Sequence, residues 1–173
     1  MEYSGLHPEL YKTLHLTSDY LCYRLQKIDF DYKNTFFEYP CDPVCMELRR
    51  ACDVFEEENK NELVEMVQTI TEATTFVDFL TIVKSLFGTE SKLTGEKVNW
   101  GRIVALFSFC GVLAVNCVET GTLWQSPYAR PRHAIDRICK WLTDSLCCCV
   151  IETIVNNGGW KSFVEKSKLT NQQ

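Results

Sequence analysis

The chain has 173 residues, 46% of them hydrophobic and 24% charged, with a formal net charge of -5. That is enough apolar material for one sizeable core. The acidic balance argues against nucleic acid, or an anionic membrane surface, as the main electrostatic partner. From His7 to Lys27, Leu10, Leu14, Tyr20, Leu21 and Leu25 recur near helical spacing, which predicts a first helix. "IDFDYKNTFFEYPCDP" reads as a loop closed by Pro40 and Pro43. Val44, Leu48, Ala51 and Phe55 then form one stripe of an amphipathic helix that ends at "EEEN". A short helix follows, with Leu63, Met66, Val67 and Ile70. Another places Phe76, Phe79, Leu80, Val83, Leu86 and Phe87 inward.

After the polar loop "GTESKLTGEK", Asn99 is placed to cap a nearly wholly apolar helix, because its side-chain oxygen can accept an orphan amide. From Ile103 to Val118 only Ser108 and Asn116 are clearly polar. The run is short of the roughly 20 residues that span a bilayer, so it is expected at the centre of a bundle. "TGTLWQSPYARP" turns the chain, and helix returns from about Pro131 with Ile135, Ile138, Trp141, Leu142, Leu146 and Val150 inward. "NNGG" at 156–159 stops it, since glycine takes the left-handed cap conformation readily. "WKSFVEKS" is a last short helix. The fold class is all-α, one domain over 1–173, with about eight helices around a central hydrophobic helix. The short helices between Val44 and Phe87 cannot bury both faces and should leave a furrow beside it.

Catalytic signatures are missing: there is no GxSxG elbow, HExxH, phosphate-binding loop or dinucleotide glycine fingerprint. The chain is not expected to be an enzyme. Ten cysteines could mean disulfides, metal or buried reduced thiols. "CDPVC" has the wrong spacing for a CxxC site, "CCC" at 147–149 fans out on a helix, and His7, His15 and His133 show no ligand spacing. Reduced thiols in a cytosolic protein are the expectation, with no metal and no cofactor; a redox- or metal-regulated protein is the alternative from another class. The start "MEYSGLHPEL" lacks the pattern of a signal peptide, and the polar end "SKLTNQQ" shows no anchor in this chain.

Two strings are more specific. "VNWGRIVALFSF" and "NNGGWKSFVEKS" resemble the first and second homology motifs of the B-cell lymphoma 2 (Bcl) family of apoptosis regulators. "VCMELRRACDVFEE" looks like the third motif, with Leu48 and Asp53 in the signature places, and "SDYLCYRLQ" like the fourth. The motif-like segments are 18–26, 44–57, 98–117 and 153–167, in the family's order. The wording is most like the pro-survival members. Cys52 stands where glycine is usual, Asn59 where an aromatic is frequent, Thr153 where a tryptophan is and Ser167 where a tyrosine is.

The resemblance implies a Bcl-type bundle whose surface groove takes an amphipathic BH3-type helix, a known helix-in-groove mode. It implies partner contacts from Phe55, Leu63, Met66, Leu86, Asn99, Gly101, Arg102, Val104, Ala105 and Phe109. Arg102 would pair with the partner's aspartate through two parallel hydrogen bonds. Gly101 would let a partner backbone approach closely. The function implied is pro-survival: capture of BH3 helices from BH3-only proteins and Bax/Bak-type effectors, blocking permeabilisation of the mitochondrial outer membrane. The place implied is the cytoplasm, acting at that membrane, with peripheral membrane association and a homodimer both allowed. The alternative is a pore-forming Bax/Bak-type effector of the same fold.

Overall fold

The structure is a computed structural model. It describes residues 7–33, 41–87, 98–121 and 130–170, without the side chains of 86, 87 and 170. The expected loop at 88–97 and most of the turn after Thr120 lie outside the described residues. Eight helices and no strand occur among those described: α1 (Pro8–Gln26), α2 (Pro43–Glu58), α3 (Lys60–Gln68), α4 (Phe76–Phe87), α5 (Trp100–Thr120), α6 (Pro131–Cys149), α7 (Ile151–Asn156) and α8 (Lys161–Thr170).

Local chemistry accounts for the helix ends. The Asp42 carboxylate accepts from the amides of Val44 and Cys45, both at 3.0 Å, and Pro43 follows at the first helical position. Asn99 caps α5 as its sequence suggests, its side chain accepting from the Arg102 amide at 3.1 Å. Gly121 closes that helix at φ +60°, and Gly158 and Gly159 take φ +92° and +78° after α7.

The central helix is longer than its apolar run. α5 has 21 residues, so by length and composition it could cross a membrane, yet 67% of its apolar window is buried inside the bundle. α1, α2, α3, α4 and α6 all pack against it. Its side chains Ile103, Leu106, Phe107, Phe109, Cys110, Leu113 and Ala114 are fully buried. The helix expected from Pro131 to the "NNGG" stop is in fact two. Val150, at φ -135°, separates α6 from α7.

At Gly111 the side chains of α1 lie close against α5. A Cβ there would sit 2.7 Å from the Tyr20 hydroxyl and 3.1 Å from Arg24 Cγ. Tyr20 is fully buried and meets Phe107 edge-on at 5.6 Å, so it has little room to yield. Gly111→Ala should therefore destabilise the fold by about 1–3 kcal/mol of overpacking strain. Chemical denaturation reads this directly, and an unchanged midpoint would show that the α1–α5 contact is looser than described.

No disulfide joins any of the ten cysteines. Burial pushes the Cys52 thiol up to about 12. Its sulfur faces the Val104 carbonyl at 3.8 Å, wedged between α2 and α5. The thiol in place of glycine is thus packed into the core.

Candidate helix-binding site

The residues expected to bind a partner helix sort into three depths. Asn99, Gly101 and Arg102 are exposed on the first turn of α5. Phe55 at the end of α2, Met66 on α3 and Ala105 on α5 are half-buried. Leu63, Val104 and Phe109 lie beneath, at 3%, 6% and 0% exposure. Leu86 belongs to α4, but its side chain is outside the described residues.

Helix packing explains this gradient. α2 and α3 both lie against α5. Phe109 is reached from the α4 side, where its ring stacks on Phe79 at 6.1 Å and 22°; Phe79 in turn meets Trp141 of α6 at 5.2 Å. Phe109 is therefore part of the core in this state. At the mouth there is space: a Cβ on Gly101 would touch only Asn99 Oδ1, at an ordinary 3.5 Å. Trp100, between these exposed residues, turns inward onto Trp160 and Phe163 at 5.6 and 5.3 Å. That anchor holds the first turn of α5 rigid while the positive end of its helix dipole faces outward with the Arg102 cation.

The chain's own third-motif helix is held in place by α1. The Tyr23 hydroxyl and Lys27 ammonium both bond Asp53 at 2.5 Å. Burial first, then the Asp53 hydrogen bond, pushes the Tyr23 phenol up. Arg24 grips Glu56 with two bonds of 2.9 and 2.6 Å, and Arg49 grips Asp19 with two of 3.0 and 2.6 Å. Lys27 and Arg49 each lie over the Tyr23 ring, 4.8 and 4.7 Å from its centre. The carboxylate that a ligand helix would offer is thus engaged within this bundle.

A cavity of about 550 Å³ lies at the other end of α5, between Val67, Ile70 and Ala73 on one side and Asn116 and Thr120 on the other. None of the expected residues lines it. The stripe read from the sequence includes Val67 on α3 and Ile70 just past its end, but the turn through Thr71 to Ala73 that shapes the cavity has no periodic signal.

The sequence of the chain is similar to those of known proteins. The sequence profile described as "Apoptosis regulator proteins, Bcl-2 family" matches residues 48–160. "Apoptosis regulator Bcl-2" of Canis lupus familiaris is 37% identical over 129 residues, which is 73% of this chain and 48% of that protein. "Bcl-2-like protein 1" of Gallus gallus is 34% identical over 120 residues, 68% of this chain and 45% of the relative. The human "Bcl-2-like protein 1" is 33% identical over 128 residues, with 73% and 48% covered. The chain belongs to the Bcl-2 family of apoptosis regulator proteins. It spans about half the length of the relatives it matches.

Proposed function

We propose that the chain is a pro-survival regulator that holds the BH3-type helix of pro-apoptotic family members against α2, α3 and the first half of α5, and so blocks permeabilisation of the mitochondrial outer membrane. Its partners are the helices of BH3-only proteins and of Bax/Bak-type effectors, met in the cytoplasm and at that membrane. The observation that carries this reading is that α2 and α3 pack on α5 and together offer the exposed Asn99, Gly101 and Arg102 and the half-buried apolar Phe55, Met66 and Ala105. A partner helix needs both parts. Its apolar stripe gains roughly 1.5–3 kcal/mol per buried side chain, set against about 2–5 kcal/mol for folding the segment. Its aspartate takes the Arg102 guanidinium in two charge-assisted hydrogen bonds, which set the register. Since Phe109, Val104 and Leu63 are covered, deep anchoring requires side chains of α3 and α4 to move aside.

Titration calorimetry against a panel of BH3-type peptides tests this reading. Micromolar or tighter binding is expected for some of them, weakened when the peptide aspartate becomes alanine. Arg102→Ala should cost about 1.5–3 kcal/mol, roughly 10- to 100-fold in affinity. No binding to any peptide, or full affinity in the Arg102 variant, would refute it.

The length and apolarity of α5 favour one second reading, a pore-forming effector. The engaged Asp53 and the core-packed Cys52 count against it, because such a protein must release that helix. Release of liposome contents by the activated chain alone would decide for the effector.

A further inference from the structure

We propose that His15, Asp19 and Cys45 form a metal site between α1 and α2, suited to a divalent cation of zinc's type. No ligand spacing is visible along the chain, because Cys45 comes from a different helix. The fold brings the three together: one donor atom from each lies within 4.8 Å of the other two. His15 and Asp19 stand one turn apart on the same face of α1, and Cys45 lies opposite in the first turn of α2. The Cys45 sulfur is 4.0 Å from His15 Nδ1. In a tetrahedral zinc site with bonds near 2.0–2.3 Å, neighbouring donors are about 3.5 Å apart. Closure therefore needs shifts of about an ångström or less, within reach of side-chain rotation.

The chemistry of the donors selects the ion. A thiolate, an imidazole and a carboxylate are the ligand set of zinc, whereas calcium and magnesium take oxygen. His15 and Cys45 are 6% and 0% exposed, so the site is buried, and its three protein donors leave the fourth tetrahedral position for a water. Arg49 already holds both oxygens of Asp19, and each carboxylate oxygen has a second lone pair that a metal can take. This is the outer hold that orients a ligating carboxylate. The start of α2 is fixed independently by the Asp42 cap, whose side chain also pairs with Lys12. As the sulfur–metal bond forms, the Cys45 proton leaves to solvent. The thiolate and the Asp19 carboxylate offset the two charges of the cation, and the partly exposed Arg49, which now shares Asp19 with the metal, keeps one positive charge for solvent to screen. Because the ligand is the thiolate, binding at neutral pH releases the Cys45 proton. A bound ion would clamp α1 to α2, the segments that resemble the fourth and third motifs. This inference is independent of the helix-binding reading.

The test is titration of the reduced, metal-stripped chain with zinc against a coloured chelator, and with cobalt(II) followed by absorption. One equivalent should bind. Cobalt should show a sulfur-to-metal charge-transfer band and the ligand-field bands of a tetrahedral centre. Both signals should vanish in Cys45→Ala and in His15→Ala, weaken about tenfold or more in Asp19→Asn, and persist in Cys148→Ala. Zinc should raise the melting temperature of the unaltered chain and not that of Cys45→Ala. Circular dichroism establishes that each variant is folded; Cys45→Ser and His15→Gln stand in for any that is not. Absence of stoichiometric binding to the unaltered chain overturns the proposal. So does binding that survives loss of both His15 and Cys45, since the metal then sits on other thiols.

Discussion

Trp160→Ala is expected to lower stability by about 3–5 kcal/mol, the usual cost of deleting a fully buried tryptophan. The side chain is 1% exposed and ties three distant parts of the chain together. Its ring lies 5.6 Å from Trp100 and 6.3 Å from Phe107, both on α5. Its indole N–H donates to Thr13 Oγ1 at 2.9 Å, and its backbone N–H donates to Glu9 Oε2 at 2.8 Å, both on α1. Alanine keeps only the backbone bond. Against a total of about 5–15 kcal/mol for a typical domain, the loss is a large share. For a chain of this size it corresponds to a melting temperature lower by roughly 6–20 °C. Thermal or urea unfolding checks it. A loss below about 1 kcal/mol would mean that the C-terminal helices are not part of the cooperative core.

Gly101→Glu should separate binding from stability. The position is exposed and its added Cβ meets only Asn99 Oδ1 at 3.5 Å, so the fold has room. Glycine in a helix is worse than an ordinary residue by up to about 1 kcal/mol, and a carboxylate in the first turn gains about 0.3–1 kcal/mol from the helix dipole. The melting temperature should therefore hold or rise slightly. Binding of BH3-type peptides should fall by several kcal/mol, more than about 100-fold, because the new side chain occupies the approach and sets a like charge against the partner's aspartate. Calorimetry on a variant of undiminished melting temperature is the decisive measurement. Retained affinity would remove the mouth of α5 from the site.

Periodicity was a good guide wherever it met a cap or a breaker. Leu10 through Leu25, the Val44–Phe55 stripe and the Asn99 cap all correspond to observed helices. It missed the break at Val150 because Leu146, Val150 and Ile154 keep four-residue steps across it and all three are buried. No glycine or proline marks the change, which comes from one extended φ. At the candidate site the motif words indicate which positions to examine but not their depth. Leu63, Val104 and Phe109 read the same in sequence as Met66 and Ala105, and only the packing of α3 and α4 over α5 separates them. The His15–Cys45 approach and the α1 contacts of Asp53 join residues 26 to 30 apart on different helices, so they depend on how α1 and α2 are docked.

The bond from Trp160 to Glu9 bridges 151 positions of sequence, and this bears on how the protein is born. While the chain is being synthesised, α1 to α4 are available to cover α5, but α6 and Trp160 are not. Forty residues separate Thr120 from Trp160. At about 5–20 residues per second, the last turn of α5 is complete roughly 2–8 s before Trp160 is made. For that interval α5 lacks the flank that α6 and Trp160 later cover. A chaperone or a lipid surface can reach it then, before its own C-terminal helices do.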